Sequence, residues 1–576
     1  MIAMTKRTFG LSIDRRALNW ADVIVFLSFV GVLATVGWLG HSLWAPFTPE
    51  ARPVVSLSPW DLPYYAARSL LRMFVALGAS VVFTLAVATW AARSTRAARL
   101  ILPALDILQS VPVLGFLSVT VTFFIALIPG HVLGLELASI FAIFTSQVWN
   151  LTFAFYHVLT TLPREQAEAL RLYRVSAWQR FTHFELPAGI IPLVWNGMMS
   201  FGGSWFFLAA SEAITVLNQE LFLPGVGSFM ALAAKAADIR ALGWAVLTMI
   251  VLILVVDAAF WRPLVAWAEK FKVEESAAAE LATSPLLDVL RRSHLVPWFE
   301  ARLARFDESL DRLWRRSFRS SDVDRPAPGR WDRTLTGILW ATIALLVLRG
   351  SLFVVTGITW HEAIKVLGLG LLTLLRVVVV VTLAALVWTP IGTWIGMNPR
   401  VARFAQPVVQ VLASFPANFL FPLFAIVFVR FGLSLEWGGT LLMALGAQWY
   451  VLFNTIAGAT AIPNDLREMT RDLGVRGVTL WRALILPAIF PAWVTGALTA
   501  AGGAWNASIV AEVVTWGDTT LKATGLGAYI TAATTAGDWP RIVLGVAVMS
   551  AYVVVLNRLV WRRLGRLAAV RYSLAA

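Results

Sequence analysis

The chain contains no cysteine, so neither a disulfide nor thiol chemistry enters its account. Charge is scarce too: 14% of its 576 residues are charged against 59% hydrophobic, and the mean hydropathy is +0.74. Those values exclude an ordinary soluble protein. The six histidines (His41, His131, His157, His183, His294, His361) lie far apart, with no metal-ligand spacing, so no metal site is expected. There is no Gly-x-x-x-x-Gly-Lys-Ser/Thr loop, hence no cradle for ATP phosphates in this chain. No nucleophile–base pairing is legible, which disfavours an enzyme and leaves no catalytic residue and no cofactor to assign.

What is present is apolar length. Runs of roughly 20 residues, enough to cross a hydrocarbon layer, recur throughout, and the expected class is an all-α polytopic membrane protein in contact with lipid. The net charge of +14 comes from basic residues placed between apolar runs, a positive-inside pattern rather than a nucleic-acid surface. The N-terminus carries Lys6, Arg7, Arg15 and Arg16 before an apolar run from about Val23, with no small-residue cleavage site after it, and reads as an uncleaved first span. Tryptophans at span ends, such as Trp20, Trp44, Trp60 and Trp331, fit interfacial anchoring.

Spans are expected near 23–45, 68–91, 101–128, 133–160, 188–214 and 241–262, then near 335–355, 365–393, 405–429, 436–460, 488–513 and 541–561. Arg93, Arg96 and Arg99 follow the second span, and Arg164, Arg171, Arg174 and Arg180 follow the fourth. The opposite connections hold almost no Lys or Arg, so both termini and both basic loops are placed in the cytoplasm. The second six spans repeat the first. Pro103 and Pro112 recur as Pro407 and Pro416 at an offset of 304. At an offset of 300, Gly202-Gly203, Trp205, Glu212, Gly225, Gly227 and Asp238 recur as Gly502-Gly503, Trp505, Glu512, Gly525, Gly527 and Asp538. The chain is a tandem duplication: a first repeat over 1–262, a polar basic linker over 263–333, and a second repeat over 334–576. An even number of spans per copy implies a pseudo-twofold along the membrane normal, with a shared pathway where the copies meet. In the linker, Phe299, Leu303, Phe306, Leu310, Leu313 and Trp314 recur at helical spacing among arginines, either an amphipathic helix on the membrane surface or one packed on its neighbours.

Two polar loops carry the functional signal. One runs Glu168-Ala169-Leu170, Arg174, Leu186-Pro187, and the other Glu468-Met469-Thr470, Gly474, Leu486-Pro487, with the proline nineteen positions after the glutamate in each. This resembles the cytoplasmic signature loop of ABC importer permeases, in which Glu-Ala-Ala is followed by Gly and then Leu-Pro. The resemblance implies two six-helix permease repeats of the type I importer kind. It also implies that the loops dock two ABC ATPase subunits, which hold ATP and magnesium, and that an extracytoplasmic binding protein delivers the solute at a bacterial-type inner membrane. The duplicated architecture, with the stretch from Glu212 to the Gly225-x-Gly227 turn, most resembles the nitrate, sulfonate and bicarbonate uptake class. Arg174 departs from the pattern. A glycine turns at positive φ without penalty, whereas a residue with Cβ loses about 1–2 kcal/mol there, so the loops are expected to be unequal. The rival is a twelve-span secondary transporter needing no ATPase, but its usual Gly-Asp-Arg-type loop is absent and it leaves the paired loops unexplained.

Intramembrane polar residues are the remaining candidates. Gln109, Ser110 and Pro112 recur as Ala413, Ser414 and Pro416, with Asn418 beyond; a mid-helix proline frees a carbonyl and serves either a pathway or packing. Asn196, Ser204, Asn454 and Asn506 line a path or bond between helices. Arg72 and Arg376 stand at a depth matching Glu212 and Glu512, so Arg72–Glu212 and Arg376–Glu512 are expected as ion pairs. The alternative has the arginines facing the pore and the glutamates capping the turns before Gly225 and Gly525.

Overall fold

The computed structural model of the chain describes residues 19–41, 55–173, 175–216, 219–271, 285–295 and 356–572, with positions 44 and 46 and short pieces between 297 and 353. The first copy runs α1 (Trp20–His41), α2 (Leu62–Arg93), α3 (Thr95–Ser110), α4 (Leu117–Leu127), α5 (Val132–Thr161), α6 (Arg164–Leu172), α7 (Ala177–Arg180), α8 (Leu186–Glu212), β1 (Ala213–Val216), β2 (Gln219–Phe222), α9 (Val226–Lys235), α10 (Ile239–Val256) and α11 (Arg262–Ala268), and α12 (Pro285–Arg292) follows. The second copy repeats this order: α13 (Trp360–Met397), α14 (Pro399–Ser414), α15 (Phe421–Phe431), α16 (Leu435–Thr460), α17 (Asn464–Asp472), α18 (Gly477–Leu480), α19 (Leu486–Ala511), β3 (Val513–Trp516), β4 (Thr519–Lys522), α20 (Leu526–Ala536), α21 (Trp539–Leu556) and α22 (Arg562–Arg571).

The chain is a helical membrane protein of two tandem repeats. Its described residues hold eight helices long and apolar enough to cross a membrane, or ten if each of two bent pairs is one span. Of the twelve spans expected, more than half of the one at 335–355 lies outside the described residues, and its described positions are helical. The one at 188–214 is α8, whose glycines, serines and Asn196 keep it below the apolarity of the others.

One expectation is corrected. The runs 101–128 and 405–429 are not single kinked helices. Val111 and Phe415 precede prolines, sit in extended backbone (ψ 121° and 124°), and end α3 and α14 outright. The chain resumes after a turn of 3-10 helix, and the halves of each pair are bent by 86° and 68°. Within the all-α fold, a short hairpin follows the fifth span of each copy: β1 pairs antiparallel with β2 and β3 with β4. The β-branched runs Ile214-Thr215-Val216 and Val513-Val514-Thr515 prefer a pleated strand to the end of a span, and Gly517 supplies a positive φ of 56° at the second hairpin turn.

Four π-helical segments occupy matching places, Phe181–Glu185 with Trp481–Ile485 and Asp257–Trp261 with Asn557–Trp561. The first pair immediately precedes Leu186-Pro187 and Leu486-Pro487. A proline has no N–H to donate and its ring crowds the carbonyl one turn back, which a wider turn moves aside.

The helices form two compact units. One comprises the described parts of Met1–His41, Arg164–Ile191 and Ala258–Asp322. In it α1 and α11 pack on α12, and Asp22 accepts hydrogen bonds from Ser293 Oγ (2.8 Å) and the His294 amide (2.6 Å). Helical backbone continues at 301–302, 307–309 and 311–312, but the apolar positions of the expected amphipathic helix, Phe299, Leu303, Phe306, Leu310, Leu313 and Trp314, lie outside the described residues.

The other unit holds the rest of both copies around one core, in which Leu114 and Val121 of the first share a cluster with Leu442, Ala504 and Met549 of the second. Its contacts are reciprocal: α3 meets α21 and α14 meets α10, while α9 meets β3 and α20 meets β1. Reciprocity of this kind is the signature of a twofold interface, and it follows from duplicated surfaces meeting their own likeness.

Candidate functional site

Where the copies meet, a cavity of about 330 Å³ opens between the 95–161, 192–207 and 450–561 parts of the second unit. The first copy contributes Gln109, Thr145, Ser146, Asn150, Asn196 and Ser200, and the second Tyr450, Asn454, Thr495, Thr499, Asn506 and Asn557. Trp149, Trp505 and Trp561 complete its aromatic wall, and among the described residues no charged side chain lines it. Asn196, Asn454 and Asn506 each donate to the carbonyl one turn back (Pro192, Tyr450 and Gly502, at 2.9, 2.9 and 3.1 Å). Each amide thereby satisfies one N–H on its own helix. Ser204 does both, donating to the Ser200 carbonyl one turn back (2.6 Å) and bridging helices to Ser146 (2.7 Å).

Glycine makes the cavity narrow in one place. A Cβ at Gly203 would lie 2.7 Å from Tyr450 Oη, and one at Gly202 2.6 Å from Ser414 Oγ, so the second copy closes directly on backbone of the first. Tyr450 stands where the first copy has Asn150, a substitution that sequence reading passed over. Trp505 is buried, and its indole N–H has no hydrogen-bond partner among the described residues.

The candidate pathway residues fall close by. Gln109 lines the cavity and donates to Asp106 Oδ1 (3.1 Å). The Ser110 side chain lies outside the described residues. Pro112 and Pro416 open the 3-10 turns, Ser414 is buried, and Asn418 donates Nδ2 to the Phe206 carbonyl of the other copy (3.2 Å).

Arg72 and Arg376 are elsewhere, in buried ionic clusters. Arg72 Nη1 donates to Glu212 Oε1 (2.6 Å) and its Nε to Glu136 Oε2 (2.5 Å), with Arg68 also bonded to Glu136. Arg376 Nη1 donates to Glu512 Oε1 (2.9 Å) and Nη2 to Glu436 Oε2 (2.5 Å). The glutamates also receive helix amides, Glu212 that of Gly227 (2.7 Å) and Glu512 that of Ala528 (3.0 Å). A Cβ at Gly225 or Gly525 would sit 2.3 or 2.2 Å from those carboxylates, so both glycines are required for the close approach. Pairing and turn capping, posed as alternatives, are thus combined in one side chain. Glu136, Glu436 and Arg68 escaped sequence reading, although Glu136 and Glu436 share the 300 offset.

The paired loops are helical hairpins. Val475 N–H reaches back to the Thr470 carbonyl (2.9 Å) around Gly474, whose φ is 68°. Val175 makes the same bond to Leu170 (3.1 Å) in the first loop, while Arg174 itself lies outside the described residues. Glu168 and Glu468 are exposed, Ala169 is half-buried, and Leu186, Pro187 and Pro487 are half-buried where the spans begin, with Leu486 more exposed.

Residues 80–260 and 388–563 each match a family profile described as "binding-protein-dependent transport system inner membrane component". The chain is similar to the nitrate import permease protein NrtB of Synechococcus elongatus, 30% identical over 210 residues, which are 35% of this chain and 71% of that one. NrtB of Leptolyngbya laminosa is 27% identical over 188 residues, 33% of this chain and 64% of that one. The bicarbonate transport system permease protein CmpB of Synechococcus elongatus gives the same 27% over 188 residues and spans 64% of its own length.

Proposed function

Because the chain belongs to the family of binding-protein-dependent transport system inner membrane components, we propose that it is the membrane subunit of an ATP-driven importer, two permeases fused into one. The repeats 1–262 and 334–576 form the pathway between them. Two separate ATPase subunits, which carry ATP and magnesium, dock on the loops at 163–187 and 463–487 on the cytoplasmic side of an inner membrane. A binding protein delivers the solute from the other side, and ATPase closure rocks the copies between inward and outward openings.

The observation that carries this reading is the pair of exposed hairpins, closed by the same backbone bond in both copies of a duplicated chain. The cavity supports the solute class. Amide and hydroxyl donors, with no carboxylate among the described lining residues, suit a small anion such as nitrate, bicarbonate or a sulfonate, and a described lining without a fixed cation lets the anion leave again. Glu168→Ala with Glu468→Ala is expected to leave membrane insertion intact and abolish ATP-dependent uptake in proteoliposomes. Uptake that persists in this double variant with no ATPase present favours the secondary transporter.

A further inference from the structure

The short helix α7, after the turn of the first loop, is held from behind by the linker. Ser176 Oγ donates to Asp311 Oδ1 (2.5 Å), Gln179 Nε2 to Asp311 Oδ2 (3.0 Å), and Trp178 Nε1 to Asp307 Oδ1 (2.7 Å). Asp307 and Asp311 are four residues apart in helical backbone, which sets both carboxylates on one face, and Asp311 is only 8% exposed. Ser176 and Gln179 also form a capping box at the start of α7, so the groups that begin the helix are the ones the linker grips. At the tip of the loop, where α6 ends, Leu172 and Tyr173 are 84% and 83% exposed.

The second loop lacks the chemistry for this grip. Arg476, Val478 and Thr479 stand where the first has Ser176, Trp178 and Gln179. Its α18 has no side-chain cap, opens on Gly477 at a φ of 58°, and leaves Val478 exposed.

We propose that Asp307 and Asp311 are positioning residues that brace the first docking loop, making the linker a working part of energy transmission on that side. The proposal rests on the reading of the loop as an ATPase docking site. A grip on the rear of α7, with Leu172 and Tyr173 uncovered, stiffens the loop against the load of a docked subunit without occupying the docking face.

The native chain has no thiol, so a cysteine pair reports cleanly. In the full chain with its ATPase in proteoliposomes, Ser176→Cys with Asp311→Cys cuts the brace when reduced and restores it covalently when oxidised. Solute moved per ATP hydrolysed is expected to fall about tenfold on reduction and to recover on oxidation of the same sample. Asp307→Ala with Asp311→Ala is expected to match the reduced state. Uptake that stops on oxidation overturns the brace, since the linker would then have to let go during the cycle. An unchanged ratio in both variants overturns it as well. Glu168→Ala separates the two failures: if it alone abolishes ATPase stimulation, the docking reading stands and the brace falls. If it too has no effect, both fall.

Discussion

The two ionic clusters descend from one sequence and differ by a single cation. In the first copy Arg68 and Arg72 face Glu136 and Glu212, two charges of each sign, and all four side chains are at most 2% exposed. In the second, Leu372 stands where Arg68 would be, so Arg376 alone faces Glu436 and Glu512. That cluster is not sealed: Glu436 is 42% exposed and is supplemented by the backbone and hydroxyl of Thr524 (2.7 and 2.6 Å). A carboxylate buried without a counter-charge is costly, and water is the substitute for the missing arginine. Burial in this protein follows charge balance, not depth along the helix.

The largest expected effect is Arg72→Ala, which strands buried Glu212, leaves Glu136 with Arg68 alone and costs about 3–5 kcal/mol. Arg376→Ala should lower thermal stability in detergent distinctly less, because Glu436 is already solvated. Equal losses would break the comparison. An exchange sharpens it: Glu212→Arg with Arg72→Glu sets a new carboxylate beside sealed Glu136, whereas Glu512→Arg with Arg376→Glu sets one beside wet Glu436. Yield of folded protein should recover further in the second copy, and the sequence alone gave no reason to expect any difference. Arg68→Leu makes the first cluster a replica of the second and should cost on the order of 2 kcal/mol, detected by thermal unfolding. Unchanged stability there would show that Arg72 suffices for both carboxylates. The smallest effect belongs to the loops. Gly474→Arg adds Cβ to a positive-φ turn, about 1–2 kcal/mol, and should reduce ATPase stimulation more than Arg174→Gly does.

Depth matching brought Arg72 and Glu212 together on paper because both charges interrupt apolar runs at corresponding heights. Glu136 was hidden by its setting, one acid in Val132-Leu-Gly-Leu-Glu-Leu, which reads as the start of a span. The repeat offset was the available signal. The prolines at 112 and 416 were visible, but a proline alone does not say whether a helix kinks or stops; the extended backbone of the preceding residue decided it. The hairpins begin where the expected spans 188–214 and 488–513 end, and their β-branched runs, as apolar as the helices they follow, gave no sign of a change to strand. The grip of Asp307 and Asp311 on Ser176, Trp178 and Gln179 joins positions 129 to 135 residues apart, and no local period encodes such a contact.

A π turn is an α-helix carrying one residue more than its hydrogen-bond ladder accommodates. In the second copy such a turn, Trp481–Ile485, lies between the hairpin 464–480 and the span Leu486–Ala511. Removing one residue there would do more than disturb the small core around Leu484 and Ile485. It would swing the hairpin by about 100° around the helix axis and draw it in by about 1.5 Å. The direction in which the loop faces is therefore kept as a tally of residues, like the setting of a vernier, and a deletion can misdirect it where a substitution would not.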